Sequence, residues 1–141
     1  MILRGINFGT IANASGAVGF FGEGYPLHRY SKYLGMTWKN TGFVAKTMTL
    51  YPREGNLPLR EDGLTPKEFF PKCIYVDFRR SITINAVGLS NKGAEWLFAQ
   101  NRWQQRTDNF FLSFMAMGPT RDERREETQD FVKFFHPLLP Q

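Results

Sequence analysis

An α/β fold with parallel strands is what this sequence predicts, on three observations. Gly42 to Met48 and Asn109 to Ala116 are continuous apolar runs of strand length, the pattern of strands covered on both faces. Helix-forming segments follow these runs, as in successive βαβ units. Turn-forming residues, among them Ser15-Gly16, Gly55-Asn56 and Gly88-Leu89-Ser90-Asn91, mark the junctions.

In chain order, a strand-like N-terminal run leads into Ala14-Ser15-Gly16, and Leu27 to Leu34 is a short candidate helix. The strand containing Phe43 to Leu50 runs on into the loop Tyr51-Pro52-Arg53-Glu54-Gly55-Asn56-Leu57-Pro58-Leu59-Arg60. Thr65-Pro66-Lys67-Glu68 has the capping-box form with Pro66 at the first helical position, so a brief helical turn is expected near Phe69 and Phe70. Cys73 to Phe78 and Ser81 to Val87 are rich in β-branched and aromatic residues, and Arg79-Arg80 joins them as a hairpin excursion from the main sheet. Asn91 then stands where a helix cap is needed, and Ala94, Leu97 and Phe98 give the helix an apolar face. After the last strand, Thr120-Arg121-Asp122-Glu123 is a second capping box. Its helix carries Thr128, Phe131, Val132 and Phe135 on one stripe, and Pro137 ends it.

The 141 residues suffice for one sizeable core, and no internal repeat, low-complexity tract or linker divides them. With 18 Lys+Arg against 13 Asp+Glu the chain is basic, which attracts phosphates, nucleic acid or anionic surfaces. The distribution argues against nucleic acid, because Arg121, Arg124 and Arg125 alternate with Asp122, Glu123, Glu126 and Glu127 as on a solvated helix face. A single cysteine, Cys73, excludes an intrachain disulfide and a cysteine metal cluster, and its apolar neighbours suggest packing rather than a catalytic thiol. His28 and His136 lack metal-site spacing. No long apolar span or signal segment occurs, so neither membrane insertion nor secretion is expected, and the expected location is the cytoplasm.

Several residues can carry chemistry. Lys46 puts an ammonium at the end of an apolar strand, which is costly unless an anion or acceptor meets it; the other reading has it reach past the strand end into solvent. Small residues at Ala14-Ser15-Gly16 permit close approach to the backbone, or else form an ordinary Ser-Gly turn. Asn85 can both donate and accept hydrogen bonds. Gly55 and Asn56 shape the adjacent loop or a plain turn, while Phe20, Phe21 and Trp38 are expected in the core.

Taken in order, Ala-Ser-Gly at 14–16, Lys46-Thr47, Pro52-Arg53-Glu54-Gly55-Asn56 and Asn85-Ala86-Val87-Gly88-Leu89-Ser90-Asn91 resemble the N-terminal half of dihydroorotate dehydrogenases, over about residues 7–135. That resemblance implies a flavoprotein on a partial (β/α)8 TIM barrel, with FMN as cofactor and dihydroorotate or a related anionic ring as substrate. Such a barrel takes roughly 250 residues, so residues 1–141 would supply about the first three of its eight strand–helix units plus the β-hairpin excursion. The remainder of the barrel becomes a required partner, a homodimer is allowed, and the chain alone is expected to be inactive. By the resemblance, Ala14, Ser15 and Gly16 pass over the flavin, Lys46 lies beside both flavin and substrate, and Thr47 adds a bond to the cofactor. Asn85 would hold the pyrimidine, and the amides of Val87, Gly88 and Leu89 its carboxylate. The family's base, a cysteine or serine on a later loop, has no counterpart, and Cys73 precedes the motif and does not replace it. Val87 stands where methionine is frequent, and Leu64 to Arg80 is longer than the family pattern. A noncatalytic half-barrel that binds an anionic ligand or a protein partner through an exposed sheet edge is the alternative.

Overall fold

The computed structural model describes residues 2–26, 28–31, 33, 35, 37 and 41–136. It opens on an antiparallel pair, β1 (Ile2–Leu3) and β2 (Ile6–Asn7), with exposed side chains throughout. Arg4 and Gly5 turn the chain with φ of 51° and 79°, the left-handed pair that a two-residue hairpin of matching twist requires.

The main sheet follows. Strands β3 (Ile11–Ala12), β4 (Thr41–Val44) and β7 (Phe110–Phe111) lie side by side in that order and are all parallel. Ile11 pairs with Thr41 and Phe43 with Phe110. Asn13 N–H still donates to the Gly42 carbonyl at 3.1 Å, and the Asn13 side-chain amide then extends the pairing: its Nδ2 donates to the Val44 carbonyl at 2.9 Å and its Oδ1 accepts the Val44 N–H at 2.9 Å. The β4–β7 ladder continues past both strands, through Met48 N–H to the Ser113 carbonyl at 3.0 Å and Met115 N–H to the Met48 carbonyl at 3.0 Å. The apolar runs at 42–48 and 109–116 are therefore longer than the regular strands they contain.

Helix α1 (His28–Ser31) lies between β3 and β4, α2 (Ala94–Ala99) between β4 and β7, and α3 (Arg121–Phe135) after β7. A separate antiparallel hairpin, β5 (Ile74–Asp77) and β6 (Ile82–Asn85), is inserted between β4 and α2. Asp77 Oδ1 accepts the N–H groups of Arg79 (3.0 Å) and Arg80 (3.1 Å) and so shapes its tip. Of the short candidate helix, Leu27 and Leu34 lie outside the described residues, as do Trp38 and Pro137.

The core fills the space between sheet and helices. Phe20, Phe43, Ala45, Met48, Leu97, Phe98, Trp103 and Phe131 are all buried in one cluster. Phe98 is its hub, with ring contacts to Trp103, Phe131, Phe134 and Phe135. Phe114 from the extended β7 run stacks on Phe131 of α3 at 4.1 Å, which fixes the last helix against the sheet. Among the described residues, no helix is long and apolar enough to cross a membrane.

Three local expectations need correction. No helix starts at Thr65: Leu59 and Pro66 form a β-bridge instead, and Asp62 Oδ1 takes the Leu64 and Thr65 N–H groups at 2.9 Å. The N-cap of α2 is Gly93, not Asn91; Asn91 is buried and accepts the Gly93 N–H at 2.8 Å. On α3, Thr128 and Val132 are exposed, and the core-facing line is the buried Phe131 with the partly buried Phe135. The second capping box is formed, with Glu123 N–H donating to Thr120 Oγ1 at 3.2 Å and Thr120 N–H to the Glu123 carboxylate at 2.7 Å. Thr120→Ala is expected to cost about 1 kcal/mol of stability in urea denaturation without changing the m-value; an unchanged midpoint would show that the cap is redundant.

Candidate functional site

A cavity of about 670 Å³ opens at the carboxyl ends of β3 and β4. Ala14, Ser15 and Gly16, which follow β3, line it together with Lys46 and Thr47, which follow β4. Asn85 at the end of β6 and Val87, Gly88 and Leu89 on the way to α2 complete the set singled out by sequence. Three separate stretches of chain, 14–16, 46–47 and 85–89, thus converge on one space. In open parallel sheets and barrels alike, this end of the strands is where ligands are held.

Lys46 is 8 % exposed, and its Nζ donates to the Ser90 carbonyl at 2.8 Å. Of the two sequence readings, the one in which it extends into solvent is therefore corrected. Its ammonium also lies 4.9 Å from the centre of the Phe20 ring. Burial pushes its pKa down from 10.5 to about 8, while the nearby Glu23 carboxylate and Cys73 act in the opposite direction. An ammonium with three hydrogens and one carbonyl partner retains donors for an incoming group.

The loop beside Lys46 is tightly specified. The Glu23 carboxylate accepts the Phe20 N–H at 2.9 Å and the Phe21 N–H at 2.7 Å, and Gly24 N–H donates to the Val18 carbonyl at 2.9 Å. Trp103 Nε1 donates to the Phe20 carbonyl at 2.8 Å, and Lys46 N–H to the Gly19 carbonyl at 2.9 Å. These bonds hold the Phe20 ring under the ammonium. Tyr25, on the same segment, also lines the cavity, and burial followed by the Glu23 charge raises its phenol to about 12.

The turn at 86–90 is oriented by its carbonyls. Ala86 O accepts from Asn56 Nδ2 at 2.8 Å, Val87 O from Asn56 N–H at 2.8 Å, Gly88 O from Arg53 Nε at 2.8 Å and Leu89 O from Asn91 Nδ2 at 2.7 Å. In a trans peptide the next N–H points opposite to the carbonyl. The Gly88 and Leu89 amides are consequently turned away from Asn56 and Arg53, as an anion-accepting turn requires. Val87 N–H differs, because Asn85 Oδ1 lies 3.4 Å from it and holds it in a long contact.

Sequence reasoning missed Ile74, Thr83, Ala17 and Tyr25 as cavity residues. The hairpin pair was legible: Ile74 pairs directly with Asn85, and Thr83 is two residues from Asn85 on the same face. Nothing in the sequence marks Tyr25. Among the described residues no group of three or more His, Cys, Asp or Glu could hold a metal ion. Cys73 is half-buried at the hairpin base, where its carbonyl accepts the Ala86 N–H at 2.8 Å. No family model matches this chain, and no curated protein or solved structure matches it.

Proposed function

We propose that this chain forms the N-terminal part of a cytoplasmic, FMN-dependent oxidoreductase resembling dihydroorotate dehydrogenase, on the first strand–helix units of a (β/α)8 barrel. The reaction would take dihydroorotate to orotate in pyrimidine biosynthesis, a base removing a proton from one ring carbon as the neighbouring carbon gives up hydride. The carrying observation is the convergence of Ala14, Ser15, Gly16, Lys46, Thr47, Asn85, Val87, Gly88 and Leu89 on one cavity. The parallel order β3-β4-β7, adjacent in sheet and in sequence of crossovers, is also what successive barrel units require.

The cavity fits a flat, anionic ring system. Its volume of about 670 Å³ lies within the usual range for small-molecule pockets, roughly 300–1,000 Å³. Ala14 and Gly16 leave the backbone accessible, and Lys46 sets a buried positive charge beside it. When bound, FMN would supply the hydride acceptor. Lys46 would then offset negative charge on the ring or the substrate, Asn85 would read the pyrimidine edge, and the Gly88 and Leu89 amides would receive a carboxylate. The base is assigned to a part of the enzyme other than these residues.

In the protein expressed from its complete reading frame, Asn85→Ala is expected to weaken orotate by roughly 5- to 150-fold, the equivalent of about 1–3 kcal/mol, and to spare FMN. Titrating orotate into the flavin-loaded variant, with the visible flavin spectrum as signal, tests this. Lost flavin with unchanged orotate affinity would reverse the assignment. A specific observation keeps the half-barrel alternative in view: β3 and β7 are the outer strands of an open sheet, and Ile11 on β3 is 70 % exposed. Association through those edges without any flavin or orotate binding would favour it.

A further inference from the structure

Ser15, Thr47 and Ser113 stand just past the ends of β3, β4 and β7, and their hydroxyls form one unbroken row. Ser15 Oγ and Thr47 Oγ1 are 2.9 Å apart, and Thr47 Oγ1 and Ser113 Oγ are 2.9 Å apart. Ser15 Oγ lies 3.0 Å from the Ala45 carbonyl. Counting hydrogens fixes the direction of the row. A hydroxyl carries one hydrogen and a carbonyl none, so Ser15 donates to Ala45 O. Ser15 must then accept from Thr47, and Thr47, its own hydrogen committed, must accept from Ser113. Ala45 is fully buried, and reversing Ser15 would withdraw a donor from an interior carbonyl. Ser15 and Thr47 line the cavity with lone pairs to offer and no hydrogen to give.

We propose that the Ser15–Thr47–Ser113 row is an acceptor-only edge of the cavity, selecting a heteroaromatic ring that presents an N–H at this edge and disfavouring one that presents a lone pair. Lys46 supplies the opposite polarity, a donor on the same cavity wall, so the two together distinguish one edge of an alternating amide ring from the other. The identity of the ring as a flavin rests on the proposed function; the polarity of the row does not. Ser113 acts through Thr47 and is a positioning residue.

Two measurements on the protein from its complete reading frame test this. The first needs no ligand: Ser15→Ala should move the Ala45 carbonyl carbon resonance upfield as its hydrogen bond is lost, whereas Ser113→Ala should leave it in place. An unmoved Ala45 resonance in Ser15→Ala overturns the row. The second compares FMN with N3-methyl-FMN, and oxidised with reduced FMN, each pair differing in a ring N–H. Ser15→Ala should weaken the N–H-bearing member of one pair by about 5- to 150-fold more than its counterpart. Equal losses for every probe overturn the selection. If the wild-type protein binds no flavin, the flavin reading falls; equal binding of uracil and 1,3-dimethyluracil then overturns the acceptor edge as well, and preference for uracil upholds it.

Discussion

Lys46→Met is expected to slow flavin reduction in the complete protein by at least about 100-fold while stabilising the fold at neutral pH. Removing a preorganised charge from a water-poor site typically costs about 10²–10³ in rate. The stability gain comes from the same burial. Lys46 has a pKa of about 8 in the folded chain against 10.5 for the free side chain, so the charged form is disfavoured by about 3 kcal/mol. Below about pH 8 the lysine is charged in both states and the penalty is fully present. Between about pH 8 and 10.5 the unfolded chain holds more protons than the folded one, so wild-type stability rises with pH across that window. Methionine removes the penalty but leaves the Ser90 carbonyl without its 2.8 Å donor, at about 1 kcal/mol. The net expectation is a variant more stable by about 2 kcal/mol near pH 7 and less stable by about 1 kcal/mol near pH 11. Urea denaturation of both proteins at the two pH values measures it. A difference that does not change with pH would mean that the ammonium is not desolvated, and unaltered flavin reduction would remove Lys46 from the site.

Lys46 was legible in the sequence because a charge inside an apolar run is expensive, and the expense itself points to a partner. Ser113 occupies the equivalent place after β7 but gave no such signal, since a serine in a strand costs little and its role depends on Thr47 and Ser15 arriving from distant strands. The two capping boxes show a different limit. Thr120-Arg121-Asp122-Glu123 and Thr65-Pro66-Lys67-Glu68 have the same local form, yet only the first opens a helix. Fifteen helical residues follow Thr120, whereas Pro71 follows Phe70 and disfavours helical geometry there. Asp62 meanwhile takes the Thr65 N–H, which the Glu68 carboxylate would have served in a box. The hairpin at 74–85 was readable from its β-branched residues. The antiparallel pair at the N terminus was not, because two-residue strands carry no periodicity to read. The importance of Asn91 is legible but its role is not: rather than capping α2, it bonds Thr49 Oγ1 at 2.9 Å and the Leu89 carbonyl at 2.7 Å, tying the turn at 86–90 to the end of the β4 run.

Gly55→Ala should disable the same turn from the opposite side and cost about 2–5 kcal/mol of stability. Gly55 has φ of 59°, where a side chain adds roughly 1–2 kcal/mol of backbone strain. A Cβ there would approach the Val87 carbonyl at 2.6 Å and the Gly88 carbonyl at 2.8 Å and collide with Ser90 Oγ. Those neighbours are backbone and a committed hydroxyl, since Ser90 Oγ accepts the Leu57 N–H at 3.0 Å and donates to the Val87 carbonyl at 3.1 Å. Relief has to come from moving residues 87–90, at a further 1–3 kcal/mol or so for an overpacked site. Because the Ser90 carbonyl is also the acceptor for Lys46, the displacement reaches the buried ammonium. The expected result is a folded variant with a lowered urea midpoint that loses orotate affinity and retains more of its FMN affinity, FMN being assigned to the Ser15 and Thr47 side of the cavity. A serine at the same position should be no better, as both add a Cβ. If Gly55→Ala is as stable as the wild type and binds orotate equally well, the wall formed by residues 87–90 is pliable, and the carboxylate contact assigned to the Gly88 and Leu89 amides has no rigid support.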